Sequence, residues 1–339
     1  MKKTILLFAI CNLQSAICNF ISAQQRMQYS QYMLNGYIVN PAISGIEDYM
    51  DIKTGYTHQW TGFVGAPQSN YLSVHTSLGK DNSAKARIGN NVNINSMTDE
   101  EKEKMEQANA DKKLKHGVGG YLFSERTGPI INNGINLTYA AHFALSEKLK
   151  LSAGLAAGAM QYQLGKVKLL NQEDKAFSQE VANTYIPNIN AGLMLYSENY
   201  FVGISSGQLY QSEIKLNENT NLNKLKMHHF INAGYRIKVN DNFSVMPSVM
   251  LRYVSPAPAS VDVNLNCMIK NMFTGGISYR HKDAVVAMLG VTLSKKIVIG
   301  YSYDFTLSNL SNHSSGSHGI VLGYKLAKKD SPVQQKYFW

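Results

Sequence analysis

A strict alternation of apolar and polar residues, repeated in short segments, is the feature that most constrains this fold. Near the C-terminus the alternate positions Ile297, Ile299, Tyr301 and Tyr303 are apolar or aromatic. The positions between them, apart from Val298, are small or polar. A period of two residues is typical of a strand with one apolar face. We predict that residues 296–326 form the last hairpin of a sheet, and that its final strand pairs with the first strand to close a barrel.

The same pattern predicts about fourteen strands. Their approximate cores are residues 50–59, 70–78, 117–126, 135–145, 150–161, 188–196, 200–206, 228–239, 243–254, 260–269, 272–280, 284–293, 297–304 and 317–326. Alternating segments of about ten residues have the length and pattern of tilted transmembrane strands. A soluble β-sandwich shows similar alternation, so the strands alone leave both architectures open.

The connections favour the membrane barrel because long polar loops and tight turns follow one another. The predicted long loops are 60–69, 127–134, 165–187, 207–227 and 306–316, and the tight turns are 146–149, 197–199, 240–242, 270–271 and 294–296. Long loops on one rim and short turns on the other are typical of bacterial outer-membrane barrels. Two connections, 255–259 and 281–283, are shorter than this rule predicts. The expected fold is therefore an all-β, transmembrane antiparallel β-barrel over residues 49–326, and its even strand count returns both chain termini to the periplasmic side.

Outside the barrel we predict three segments. Residues 1–23 resemble a signal peptide, with Lys2 and Lys3 before an apolar stretch and a cleavage site near Ala23. Residues 24–48 form an N-terminal arm inside or against the barrel, and residues 327–339 form a C-terminal tail. Removal of the signal peptide leaves Cys267 as the one cysteine, so the fold uses no internal disulfide.

One long connection falls on the short-turn side. Residues 79–116, after the second strand, are charged and poor in apolar residues towards their end. We expect either a solvated insert or a periplasmic helix that contacts a partner. The net charge of +10 comes from residues scattered over loops and polar strand faces, which argues against nucleic-acid binding.

The sequence contains no catalytic motif, and we predict no enzyme, no cofactor and no metal site. His228 and His229 are neighbours on a strand and point to opposite faces, so they would not share a metal ion. His313 and His318 lie near one loop, where a solvated histidine is the simpler interpretation. Asp304 is expected to be a hydrated lumenal charge or to pair with a basic side chain such as Lys325.

Several motifs resemble the PorP/SprF family of the Bacteroidetes type IX secretion system. They are, in chain order, Tyr29–Asn35 with Asn40-Pro41-Ala42, Gln59-Trp60-Thr61-Gly62-Phe63 with Gly65-Ala66-Pro67, the strand at Leu151–Leu155, Tyr301–Asp304, and Ser314–His318. The resemblance spans nearly the whole mature chain. Two positions depart from the family pattern: Thr57-His58 stand where an arginine is usual, and Gly319 stands where a glutamate commonly follows.

The resemblance implies a non-enzymatic outer-membrane barrel of the secretion and gliding motility machinery. Such a protein would anchor or help to export a surface protein that carries a type IX C-terminal domain, and would contact periplasmic and outer-membrane components. The positions that match the family motifs, and are candidates for partner contacts, are Gln31, Tyr32, Asn35, Asn40, Pro41, Gln59, Trp60, Gly62, Pro67, Tyr303, Asp304, Gly316 and His318.

Two other functions remain open from the sequence. A barrel of this size can enclose a lumen, which Arg236, Lys238 and Asp262 would line, so a passive or substrate-specific outer-membrane channel is the main alternative. A soluble secreted β-sandwich adhesin is the third possibility.

Overall fold

The computed structural model describes residue 30 and residues 32–78, 114–146, 148–165, 182–217, 220–312 and 314–327. Over these ranges the protein is all-β, with short 3-10 turns and without an α-helix. Within the same ranges, no helical segment has the length and apolar character needed to cross a membrane.

Seventeen strands are present in the described ranges. They are β1 Met50–His58, β2 Gln68–Leu78, β3 Leu114–Thr127, β4 Ile130–Ala144, β5 Lys150–Leu164, β6 Ala182–Tyr196, β7 Tyr200–Gly207, β8 Glu213–Asn217, β9 Thr220–Lys224, β10 His228–Tyr235, β11 Ile237–Asn240, β12 Phe243–Tyr253, β13 Ser260–Ile269, β14 Phe273–Arg280, β15 Ala284–Leu293, β16 Ile297–Thr306 and β17 Ser317–Leu326.

All of these strands except β8 and β9 form one antiparallel sheet that closes on itself. The strands pair in chain order, and β17 pairs with β1, with Leu322 opposite Thr54. β10 and β11 lie one after the other along the same side of β12, so the closed barrel has fourteen strand positions. The predicted barrel of about fourteen strands is confirmed, and so is its closure by the last hairpin.

The side chains of each strand alternate between the outside and the inside of the barrel. On β17, Leu322 is 49% exposed on the outside, whereas its neighbour Val321 is fully buried inside. Ile320 and Tyr324 lie on the same outer face as Leu322. The apolar faces therefore form an outer belt that suits lipid, and the polar and small residues face the lumen.

The two ends of the barrel differ. The strand ends joined by residues 59–67, 165–181, 208–227, 254–259 and 307–316 lie at one end of the barrel, which we call the loop rim. The strand ends joined by residues 145–149, 197–199, 241–242, 270–272 and 294–296 lie at the other end, which we call the turn rim. β1 begins and β17 ends at the turn rim. The connection 79–113 also leaves from the turn rim, and it lies outside the described residues, as do the predicted signal peptide and most of the tail.

Three expectations about the strands need correction. The predicted loop 127–134 is instead a two-residue turn, Gly128–Pro129, because β3 and β4 extend beyond their predicted ends. β3 also begins at Leu114, so the last three residues of the predicted insert belong to a strand. The strand predicted over 228–239 is interrupted at Arg236, whose backbone N–H donates to the carbonyl of Asn199 in the neighbouring turn. The hairpin β8–β9 was not predicted.

Candidate functional site: the arm inside the lumen

The N-terminal arm lies inside the barrel and fills its lumen. Its described residues form two short 3-10 turns, Gly36–Ile38 and Pro41–Ile43. Asn40 caps the second turn, because its side-chain oxygen accepts a hydrogen bond from the N–H of Ala42 at 3.0 Å. Pro41, the first residue of that turn, has no N–H to satisfy and is preset for this conformation. The Asn-Pro sequence thus folds the arm into a compact shape that fits between the walls.

The loop-rim end of the arm, at Ser30, is attached to a charged cluster. Ser30 Oγ donates a hydrogen bond to the carboxylate of Asp304 and accepts one from Arg280 Nη2 at 3.0 Å. Arg280 Nη1 lies 3.4 Å from Asp304 Oδ2 and 3.1 Å from Asp283 Oδ2. Arg280 Nε lies 3.4 Å from Asp262 Oδ1. The predicted pairing of Asp304 with a basic residue therefore involves Arg280, not Lys325.

The next residues of the arm bond to both sides of the lumen. The hydroxyl of Tyr32 accepts a hydrogen bond from Asn264 Nδ2 at 2.6 Å on β13. Asn35 Nδ2 donates to Ser73 Oγ at 2.9 Å on β2. Two residues of the family motif therefore connect strands that lie far apart in the closed sheet.

Tyr37 is the aromatic centre of the plug. It is almost fully buried, its ring meets that of Tyr121 edge-on at 5.9 Å, and its hydroxyl donates to Thr138 Oγ1 at 2.8 Å. Tyr37 belongs to a buried apolar cluster with Phe123, Tyr162 and other residues of the long strands β3–β6.

Opposite the charged cluster, the arm packs against a row of inward-facing glycines. A β-carbon on Gly192 would lie 2.0 Å from Asn40 Oδ1, and one on Gly154 would lie 2.3 Å from the Ala42 nitrogen. Serines beside these glycines bond to the arm's backbone: Ser152 Oγ donates to the Ala42 carbonyl at 2.6 Å. The wall is therefore shaped to accept the backbone of the arm at contact distance.

The other end of the arm, residues 44–48, is fixed near the turn rim. His142 Nε2 donates to the carbonyl of Ser44 at 2.8 Å. Lys115 Nζ lies 2.7 Å from Asp48 Oδ1 and donates to the Ile46 carbonyl at 3.1 Å. A β-carbon on Gly117 would lie 1.9 Å from the Ser44 carbonyl oxygen, so the arm touches the wall here too.

The arm runs through the lumen from one rim towards the other. Ser30 is level with Asp304, which pairs with Ser317 at the loop-rim start of β17. Asp48 bonds to Lys115, the second residue of β3 at the turn rim. A cavity of about 70 Å³ lies between the arm and the wall. The arm's hydrogen bonds to opposite walls, through Tyr32 and Asn35, place it across the lumen.

The second group of motif residues lies at the loop rim, where β1 meets β17. The N–H of Thr61 donates to the Gly316 carbonyl, and the N–H of Ser315 donates to the Thr61 carbonyl, both at 2.8 Å. The Trp60 N–H donates to Ser317 Oγ at 3.1 Å. These bonds extend the pairing of the first and last strands into their loops and hold the seam of the barrel together.

Other motif residues shape the same seam. Gln59 and Pro67 close the base of the β1–β2 loop through a backbone hydrogen bond of 2.8 Å. Gly62 (φ +95°) and Gly316 (φ +88°) adopt backbone conformations that favour glycine. Tyr303 donates to the Ser315 carbonyl at 2.6 Å.

His318 Nδ1 lies 2.7 Å from the Tyr301 hydroxyl. Within the described ranges, no group of three potential metal-binding side chains is present. His228 is buried, while His229 bonds to Ser206 and stacks on Tyr253. Gln31 and His313 lie outside the described residues.

The candidate residues therefore separate into the lumenal arm and the seam. Sequence reasoning missed the wall residues that hold the arm, above all Arg280, His142 and the inward-facing glycines. The inward glycines were a detectable signal, because Gly154, Gly192 and Gly203 occupy lumenal positions on three neighbouring strands.

A sequence profile of the type IX secretion system membrane protein PorP/SprF matches residues 21–324. This chain belongs to the PorP/SprF family. The PorP/SprF match spans the arm, the barrel and the seam, and together with the closed transmembrane sheet it identifies an outer-membrane β-barrel. No curated protein matches the sequence.

Several solved barrels resemble this PorP/SprF protein in shape. The toluene transporter TbuX of Ralstonia pickettii is 11% identical, with a TM-score of 0.46, over 87% of this chain and 93% of that chain. A FadL homologue of Pseudomonas aeruginosa is 9% identical, with a TM-score of 0.47, over 84% and 91%. The Pseudomonas putida toluene transporter TodX is 9% identical, with a TM-score of 0.47, over 90% and 95%. Toluene is named for TbuX and TodX alone, and at these identities the likeness concerns the fold.

Proposed function

We propose that this protein is a plugged, non-enzymatic barrel that anchors or helps to export a surface protein carrying a type IX C-terminal domain. The observation that carries the proposal is the N-terminal arm, which is hydrogen-bonded to walls on both sides of the lumen. A plugged barrel acts by presenting rigid surfaces on its two rims, and no bond is made or broken.

The occupied lumen favours an anchor over a channel. Asp262, expected to line a pore, is fully buried and lies 2.7 Å from Arg252 Nη2. Lys238 is exposed, on a strand that ends at the turn rim. A passive channel needs a continuous polar path, and the arm, bonded to both walls, lies across the lumen where that path would run.

The loop rim offers a surface for the exported partner. The tip of the β1–β2 loop presents Phe63, 47% exposed, and Val64, 96% exposed. The loop is held at its base by the Gln59–Pro67 bond and near its tip by a bond from the Gly128 N–H to the Gly65 carbonyl at 2.9 Å. A rigid loop with apolar side chains exposed at its tip is suited to anchoring a protein partner. The turn rim, which faces the periplasm in this proposal, would meet the other secretion components.

Capture of the exported protein tests the proposal. We expect tagged full-length protein, solubilised in detergent, to retain a surface protein with a type IX C-terminal domain, identified by mass spectrometry. The double variant Phe63→Ser/Val64→Ser should lose most of that capture. The matched control is Asn271→Gly, at an exposed turn on the opposite rim, which should retain it. Equal capture by both variants would remove the loop tip from the proposal, and no captured C-terminal domain with any variant would contradict the anchoring function.

A further inference from the structure

A cluster of lysines on the turn rim has no role in the plug or the seam. Lys270, in the β13–β14 turn, and Lys295 and Lys296, in the β15–β16 turn, are all exposed. Lys238 on β11 is also exposed at this rim, but it faces the lumenal side because its neighbours Ile237 and Val239 face lipid, so it does not belong to the cluster. Asp241 is the one acidic residue in the neighbouring β11–β12 turn. Among the residues that the structure describes, none of these lysines lies within 4.0 Å of a carboxylate.

The backbone of these turns does not favour lysine. Lys270 and Asn271 both have φ +52°, and Ser294 and Lys295 have φ +49° and +59°. Hairpin turns of this left-handed type prefer asparagine and glycine, as position 271 illustrates. A lysine held in a disfavoured backbone conformation is a reason to look for a role of its charge.

The backbones of these turns are hydrogen-bonded to their neighbours, so the lysines start from fixed points on the rim. The Lys270 N–H donates to the Asn242 carbonyl at 2.6 Å, which joins the β13–β14 turn to the β11–β12 turn. The Lys325 N–H donates to the Lys296 carbonyl at 2.8 Å, which joins the β15–β16 turn to β17. The Thr292 N–H donates to the Met272 carbonyl at 2.7 Å, which joins the two lysine-bearing turns, so their backbones form a continuous arc along this part of the rim.

The arc lies where the apolar belt ends. Ile269 and Phe273 flank the first turn, Leu293 and Ile297 flank the second, and all four are exposed on the lipid-facing side. Lysines directly beyond a lipid-facing apolar belt place their ammonium groups at the level of the headgroups. The ammonium group is a flexible, hydrated point charge that binds phosphate oxygens.

We propose that Lys270, Lys295 and Lys296 form a binding surface for the phosphate groups of anionic phospholipids in the leaflet next to the turn rim. Continuity with the apolar belt favours lipid over an acidic protein, which would instead contact charges directed away from the membrane. This inference does not depend on the anchoring function, because it concerns the opposite rim and a different ligand.

The test uses the full-length protein, delipidated in detergent and titrated with cardiolipin or phosphatidylglycerol while bound lipid is counted by native mass spectrometry. We expect each of Lys270→Asn and Lys295→Asn to weaken binding about fivefold, from the contribution of about 1 kcal/mol per lysine near an anionic surface. Raising the salt concentration should reduce lipid binding by the wild type and narrow the difference in affinity between the wild type and the two variants. Asparagine suits the left-handed turn, so these variants should fold at least as well as the wild type.

Lys282→Asn is the matched control. Lys282 has the same backbone conformation, φ +60°, but lies on the opposite, loop rim, next to Asp283 in the chain. The Lys282→Asn variant should change lipid binding less than twofold. Unchanged lipid binding by the double variant Lys270→Asn/Lys295→Asn, or an equal loss with Lys282→Asn, would overturn the proposal. Loss of capture of an acidic periplasmic protein, with lipid binding unchanged, would overturn it in favour of a protein-docking surface.

Discussion

The side chain of Asn40 lies so close to Gly192 that a β-carbon built on Gly192 would come within 2.0 Å of Asn40 Oδ1. Arm and wall thus fit each other at this point. We expect Gly192→Ala to lower the free energy of unfolding by about 1–3 kcal/mol, because an added methyl group has no free space. Urea-driven unfolding in detergent micelles measures the change.

Gly290→Ala provides the control for that experiment. Gly290 also faces inwards, on β15, but the nearest atoms to its built β-carbon are 3.5 Å away, an ordinary contact distance. This variant should unfold close to the wild type. Comparable losses for Gly192→Ala and Gly290→Ala would mean that the arm does not press on the wall near Gly192.

The direction of the arm predicts where the N-terminus can be detected. Because Ser30 lies level with Asp304 near the loop rim, an epitope tag placed directly after the predicted cleavage site at Ala23 should bind antibody on intact cells. A tag added after Trp339 should bind only after permeabilisation, since β17 ends at the turn rim. Detection of neither tag on intact cells would contradict the assigned path of the arm.

The charged cluster at the loop-rim end of the arm predicts that one substitution, Arg280→Ala, lowers stability strongly. Arg280→Ala leaves the buried carboxylate of Asp304 without its cationic partner and should cost about 3–5 kcal/mol of stability. Ser30→Ala removes only a neutral hydroxyl and should cost about 1 kcal/mol. Arg126→Ala, at an exposed arginine on β3, should cost little. Equal unfolding midpoints for Arg280→Ala and Arg126→Ala would rule out a structural role for the cluster.

The strands were predictable where they face lipid, and much less so where they extend beyond the lipid towards the loop rim. Leu137 and Ile135 follow the alternation because their outer face meets the apolar belt. Nearer the loop rim, on the same outer face of β4, Asn133 Nδ2 donates to Gln161 Oε1 at 3.3 Å. A polar side chain therefore stands at a position where the alternation predicts an apolar one. Without lipid to select apolar residues, the period of two disappears, and residues 130–134 were wrongly predicted as loop.

The seam and the arm were recognised by motif, but their geometry was not predictable from local sequence. Tyr32 and its partner Asn264 are 232 residues apart, and Ser30 and Arg280 are 250 apart. Such contacts depend on the closure of the barrel, which no local pattern encodes. For the same reason Lys325 was proposed as a partner for Asp304, while the folded sheet places Arg280 there instead.

Single-channel conductance of the purified protein in planar bilayers tests the central claim most directly. The full-length chain should give no large, steady conductance, because the arm fills the lumen between β2–β7 and β12–β16. A variant that lacks residues 32–46 should open a stable pore if it inserts as a closed barrel, which heat-modifiable migration in SDS gels verifies. A large conductance from the full-length chain, unchanged by that deletion, would contradict the plugged barrel.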